Sequence, residues 1–138
     1  MTAPGHTPEC FVCGLLGVDV QVADGRAFAE VVLDERFTGP PTFVHGGIIA
    51  ALLDEVLGVA VCMHTARALT AHLEVDFRRP WLVGEPARLT GQAEWVGERK
   101  LRAHGAITDL DGQVIAEGHG LWIMPRQPPV DGGQVTSY

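Results

Sequence analysis

The sequence predicts an α+β domain in which an antiparallel sheet curls around one long central helix. Three observations carry that reading. One long helix-compatible run, residues 44–58 with apolar residues continuing to Met63, has almost no polar face, and a helix apolar all round must be wrapped by protein on most sides. Segments of two-residue apolar alternation, the period of a strand, stand both before and after it. Clusters of Gly, Pro, Asp and charged residues separate those segments and suit turns. Two strands, one helix and four strands pack most simply as a sheet wrapped on the helix.

Taken in order, residues 18–22 alternate, Ala23-Asp24-Gly25-Arg26 turns, and residues 27–33 resume as a second strand, a hairpin pattern. Gly39-Pro40-Pro41 rules out helix and central strand, so residues 37–42 form a loop that delivers the chain to His45. The helix carries Asp54 on a stripe shared with Gly47, Ala50, Ala51, Leu57, Gly58 and Val61. That stripe is mostly small residues, and it lets a ligand approach closely. In the best strand, Leu69, Ala71, Leu73, Val75 and Phe77 lie on one face, Thr70 lies on the polar face, and Arg78-Arg79-Pro80 closes the segment. Residues 87–96, 101–108 and 114–123 alternate in turn, separated by Gly97-Glu98-Arg99-Lys100 and Asp109-Leu110-Asp111-Gly112, so all four later strands are expected to follow one another as a meander.

At 138 residues the chain is long enough for one substantial core, and residues 1–138 are read as a single domain with its core at about 16–124 and mobile tails at 1–9 and 125–138. A net charge of −7 argues against nucleic acid or an anionic membrane surface as partner, because both need a basic footprint. No apolar run reaches the ~18 residues that span a bilayer, the first residues lack the charged and apolar regions of a signal peptide, and three cysteines fit a reducing compartment. A cytoplasmic location follows. Cys10-Phe-Val-Cys13-Gly14 has knuckle spacing, with His6 upstream and Cys62 and His64 at the helix end. No second CxxC follows, so the thiols are read as buried and no metal is expected.

His45-Gly46-Gly47 followed by Asp54, the stretch from Leu69-Thr70-Ala71 to Arg78-Arg79-Pro80, and the later Gly97-Glu98-Arg99 turn together resemble the hotdog-fold acyl-CoA thioesterases, in particular the PaaI-like branch and the related carboxyl-terminal modulator proteins, within the 4-hydroxybenzoyl-CoA thioesterase superfamily. The likeness runs from about Cys10 to Ile123 and includes the Cys10–Cys13 leader. It implies a hotdog fold, subunits paired into a continuous sheet, often two such dimers per tetramer, and active sites at the dimer interface. By matching positions, Asp54 corresponds to the catalytic carboxylate, Thr70 to a threonine implicated in the modulator-like group, and the Gly46 or Gly47 amide to the oxyanion donor. The chain departs from the pattern at Gly39, where some relatives carry an Asn that positions water or the thioester.

Thioester hydrolysis needs a nucleophile at the acyl carbon and a donor for the oxygen that becomes negative. Gly46 and Gly47 suit the second role, at a helix N-terminus with unpaired amides, although a Gly-Gly pair also serves simply to bend the chain. With no G-x-S-x-G motif, the first role falls to a carboxylate that activates water or attacks directly. Asp54 is the candidate, and Glu55 the reserve. His45 either contacts the thioester or only bonds nearby backbone, and Thr70 either binds at the site or is an ordinary β-branched strand residue. Arg78, Arg79, Arg99, Lys100 and Arg102 make up half of the ten Lys and Arg. With Gly97 in the same turn they suit the phosphates of coenzyme A, or a charged and protected sheet edge. Coenzyme A enters only as part of the substrate, with no separate cofactor. The rival readings are an enoyl-thioester hydratase or dehydratase, whose pattern of His and Asp or Glu around a Pro-Gly helix entry is missing here, and a non-catalytic acyl-CoA-binding regulator.

The geometry of the helix adds one expectation. Asp54 lies about two turns from the glycine amides, roughly 11 Å along the axis, too far for both to serve one thioester. Donor and carboxylate of one site should therefore come from opposite subunits.

Overall fold

A computed structural model describes residues 9–126; the expected tails at 1–9 and 125–138 lie outside them apart from Glu9, Pro125 and Arg126. The elements are α1 (Phe11–Leu16), β1 (Gln21–Ala23), β2 (Arg26–Val31), a single 3₁₀ turn (Glu35–Phe37), α2 (Gly46–Cys62), β3 (Leu69–Phe77), β4 (Ala87–Trp95), β5 (Lys100–Asp109) and β6 (Val114–Ile123). The six strands form one antiparallel sheet in the order β1-β2-β4-β5-β6-β3, and α2 packs on one face of it. This is the expected α+β architecture. Leu52, Leu53, Val56 and Leu57 of α2 are wholly buried, as are Leu89, Leu101, Ile107 and Ile115 of the sheet. Burying each leucine stabilises the fold by about 2 kcal/mol.

Local chemistry explains most boundaries. Asp24 and Gly25 both take positive φ, 51° and 74°, the conformation that closes a two-residue hairpin between β1 and β2. β2 alternates exposed and buried along its whole length, as a strand with one wet face must. The short helix α1, which the sequence reading left unassigned, buries Val12 and Leu16 and ends at Gly17 in the left-handed conformation. Among the described residues no helix is long and apolar enough to cross a membrane.

Two features differ from the sequence reading. The four later strands are not one meander: β4, β5 and β6 are neighbours in order, but β3 lies at the far edge, beside β6. The reason is the length of the connections. The β4–β5 and β5–β6 links are four residues each, tight enough for hairpins, whereas residues 78–86 give nine. That longer link crosses the N-terminal end of α2, where the Trp81 carbonyl accepts from Val44 N (2.8 Å) and Val83 N donates to Thr42 O (2.9 Å). The second difference is a bulge in β3. Thr70 pairs with Trp122 and His72 with Leu121, leaving Ala71 as an extra residue. The bulge reverses the alternation, so Thr70 shares the helix-facing side with Leu73 and Val75, and Ala71 is exposed.

Candidate active site

The site begins where the loop enters α2. Thr42 takes φ 73°, a left-handed conformation rare for a β-branched residue, in the turn leading to Val44 and His45. His45 is the N-cap residue: its ring Nδ1 accepts from the Gly47 amide at 2.8 Å, and its carbonyl accepts from Ile48 and Ile49. A Cβ at Gly47 would lie 3.0 Å from that Nδ1, so glycine here is what lets the imidazole close over the helix end. The Gly47 amide is therefore occupied within the chain. The Gly46 amide makes no hydrogen bond to the described residues, and of the two glycines it is the donor left for a ligand. At Gly39 a Cβ would sit 3.2 Å from the His45 Cα. A side chain there would require the His45 backbone to give by a few tenths of an ångström.

Along α2 the exposed Gly47 is followed by the half-exposed Ala51, Asp54, Gly58 and Cys62, a strip of small side chains with one carboxylate in it. Asp54 Oδ1 accepts from the Thr70 hydroxyl at 2.9 Å, and its other oxygen accepts nothing from the described residues. Burial pushes the Asp54 carboxyl above the usual range; the Thr70 hydrogen bond offsets part of this, and the Glu55 charge adds to the rise. Asp54, Thr70, Gly58, Val59, Leu69 and Trp122 line a pocket of about 220 Å³ that Cys10, Glu55, Cys62 and Ala68 complete. Of the chain's three tryptophans, Trp122 lines this pocket. Trp81 is in the core, with its indole N–H donated to Glu85 O, and Trp95 is edge-on to His64.

Glu55, on the wall of the same pocket, is engaged by the two thiols of the leader. Its Oε1 accepts from Cys10 Sγ at 3.4 Å and Cys13 Sγ at 3.3 Å. Burial, reinforced by the Cys10 and Glu55 hydrogen bonds, pushes the Cys13 thiol far above its ordinary value. Sequence reasoning saw the CxxC spacing but not its carboxylate, which comes from 42 to 45 residues away. His64, considered as a possible companion to the thiols, bonds the Ala93 carbonyl instead at 3.0 Å, and His6 lies outside the described residues.

The basic cluster is divided by the fold. Leu69 and Lys100 both pair with Ile123, so Gly97, Arg99 and Lys100 lie at the Thr70 end of the sheet. Arg78 follows Phe77, seven residues further along β3 than Thr70, roughly 23 Å away at strand rise. Arg79 is engaged inside the chain by Glu85 (3.0 Å) and Asp109 (2.8 Å), and Asp109 also caps the β5–β6 turn through the Asp111 and Gln113 amides. It holds the crossing link to the sheet, and its charge is already neutralised. Arg78 pairs with Glu117 at 3.3 Å on the surface. Arg99 is half-buried, with its Nε enclosed and without a hydrogen-bond partner among the described residues, and Lys100 is exposed. Arg102, paired with Leu121, lies at the same end of the sheet.

Residues 42–116, more than half of the chain, match the family described as the thioesterase superfamily. Over 86 residues the chain is 33% identical to acyl-coenzyme A thioesterase THEM4 of Xenopus laevis, covering 62% of this chain and 39% of that protein. Among solved structures, protein RHA08564, a thioesterase superfamily protein, superposes with a TM-score of 0.72 at 39% identity, covering 77% of this chain and 55% of that one. The chain thus spans well under two thirds of the length of both relatives. The E. coli PaaI protein from the phenylacetic acid degradation operon superposes with a TM-score of 0.77 at 20% identity over 84% of this chain and 85% of its own, a likeness of fold.

Proposed function

The chain belongs to the thioesterase superfamily, and from that premise we propose that it is a hotdog unit, spanning about residues 16–124, which hydrolyses the thioester of an acyl- or aryl-CoA to the free acid and CoA. The observation that carries this reading is Asp54: a half-buried carboxylate, bonded on one oxygen by Thr70 and lining a pocket on a small-residue strip. Burial raises its basicity towards neutral pH, where a general base is most effective.

In the water route, Asp54 takes a proton as the water oxygen bonds to the acyl carbon. The carbonyl oxygen becomes negative, an N–H donor holds it, and collapse breaks the C–S bond; the CoA thiolate leaves and takes the proton. In the direct route, Asp54 itself bonds to the acyl carbon and expels the thiolate, and water then opens the resulting anhydride. Thr70 fixes the carboxylate in either case.

The donor is assigned to the Gly46 amide of a second copy. Among the described residues β3 is an edge strand of the sheet, and Leu69 and Phe77 are 46% and 56% exposed. A Cβ on Gly46 would lie 3.7 Å from the Phe77 ring, so the start of α2 sits at the Phe77 end of β3. Asp54 sits at the Thr70 end. Two copies joined antiparallel along β3, about an axis near Leu73 and Glu74, bring the Gly46 of one to the Asp54 of the other. The same pairing brings the Arg78 end of one copy beside Arg99 and Lys100 of the other, where the nucleotide phosphates would bind.

The test is release of free thiol from a panel of acyl-CoAs, with Asp54→Asn as control. Turnover that vanishes in the variant supports the reading. Tight acyl-CoA binding with no thiol release from any member assigns the chain to a binding role instead.

A further inference from the structure

We infer that Cys10, Cys13 and Glu55 form a binding site for a zinc-class divalent cation on the wall of the Asp54 pocket. The two sulfurs and the Glu55 carboxylate oxygen all lie within 4.8 Å of one another. They are brought there by elements far apart in sequence: the N-cap residue and first turn of α1 supply the thiols at i and i+3, and the middle of α2 supplies the carboxylate. Val12 and Leu16 bury the other side of α1, so the thiols are aimed at α2 by packing.

The spacing suits a metal. Zn–S bonds of about 2.3 Å and Zn–O bonds of about 2.1 Å at a tetrahedral angle place S and O about 3.6 Å apart. The observed separations, 3.4 and 3.3 Å, are close to that edge length. Thiols are weak donors, so two of them converging on one carboxylate oxygen use that anion poorly as a hydrogen-bond acceptor and well as a shared ligand. Thiolates with one carboxylate select zinc-like ions over magnesium or calcium. The donor set also answers the objection that the sequence raised, a missing second CxxC: the third ligand comes from α2. Cys10 and Glu55 line the Asp54 pocket, leaving the fourth, water-bearing position for the pocket side. Cys62 lines the same pocket but is not one of the mutually close donors. Binding replaces two thiol protons by one cation and leaves a net charge of −1 on the cluster.

The test uses the full chain, reduced and metal-stripped, and reads binding rather than turnover, so it stands apart from the thioesterase reading. Zinc is titrated against a chromophoric chelator, and Co²⁺ serves as a spectroscopic probe. The expected result is one equivalent of zinc bound with sub-micromolar affinity, two protons released per ion at neutral pH, and a thiolate-to-cobalt charge-transfer band. Cys10→Ser and Cys13→Ser should each weaken binding by at least the ~10- to 100-fold that loss of even a supporting contact costs at metal sites, and Glu55→Gln should weaken it in the same sense. Cys62→Ser should still bind one equivalent. Zinc binding that is absent, or that persists unchanged in the Cys10→Ser/Cys13→Ser double variant, overturns the proposal. So does a cobalt spectrum without thiolate charge transfer. Either result would leave the pair as thiols hydrogen-bonded to Glu55.

Discussion

Asp54→Asn should lower activity and raise stability at the same time. The substitution keeps the size of the side chain, and an amide oxygen can still accept from the Thr70 hydroxyl. What it removes is the charge. In the folded protein burial raises the Asp54 carboxyl above its ordinary range, so between that range and the raised value the folded state holds more protons than the unfolded one. Stability then falls as pH increases through that window, and at neutral pH the charged Asp54 is a net cost. Relieving it should stabilise the protein, and each 1 kcal/mol gained would appear as about 3–5 °C in Tm for a chain of this length. Loss of the base should lower kcat by about 10²-fold, equivalent to about 2.7 kcal/mol of transition-state stabilisation. The assays are thiol release at saturating acyl-CoA and thermal melts of both proteins at pH 4, 5.5 and 7. The variant's advantage in Tm should be present at pH 7 and shrink towards pH 4, as Asp54 becomes protonated in the folded state and then begins to do so in the unfolded one. A variant less stable than the parent at pH 7 would mean that the carboxylate is favourably paired. Turnover within a few-fold of the parent would remove Asp54 from the mechanism and make Glu55 the next residue to test.

Three further outcomes follow from the same geometry. Thr70→Val removes the hydrogen bond to Oδ1 without changing shape, and a bond to a charged group of about 1.5 kcal/mol predicts a loss of roughly 10-fold in kcat/KM; the basic limb of no other group should move, the acidic limb should shift to higher pH, and Thr70→Ser should recover most activity. A pH profile unchanged by Thr70→Val would show that Thr70 does not act through Asp54. The chain should be dimeric at micromolar concentration by light scattering, and mixing Asp54→Asn with Gly46→Pro should restore activity through hybrid dimers, because proline at the first helical position is tolerated yet carries no N–H; no recovery despite demonstrated subunit exchange would mean that each site is built within one chain. Replacing Arg99 and Lys100 by Ala should raise KM for acyl-CoA far more than for the matching acyl-pantetheine, whereas Arg79→Ala should lower Tm by several degrees, since it frees Glu85 and Asp109 from their shared partner; equal KM effects on both substrates would confine Arg99 and Lys100 to the surface.

Period and turn chemistry are local properties, and they made most of the architecture legible in the sequence. The apolar stretch around Leu52 and Leu53 could only be a core helix, the alternation from Leu69 to Phe77 could only be a strand, and Asp24-Gly25 marked a hairpin before any partner strand was known. Asp54 could be singled out because a carboxylate on a strip of small apolar residues is costly without a purpose. Three decisions needed the folded chain. The position of β3 beside β6 depends on how the 78–86 link crosses α2, which is a matter of chain length and of the backbone bonds that Val44 and Thr42 make. The orientation of Thr70 depends on the bulge at Ala71, because inserting one residue reverses every side chain on one side of it, and nothing in an alternating pattern records where the partner strand slips. The fates of Arg79 and Glu55 depend on partners distant in sequence: Asp109 and Glu85 neutralise the first, and Cys10 and Cys13 engage the second. Residue type and spacing limit which chemistry a side chain can perform; which neighbour it meets is set by long-range packing, so only the tertiary structure separated the arginine that holds the fold from those at the Thr70 end of the sheet.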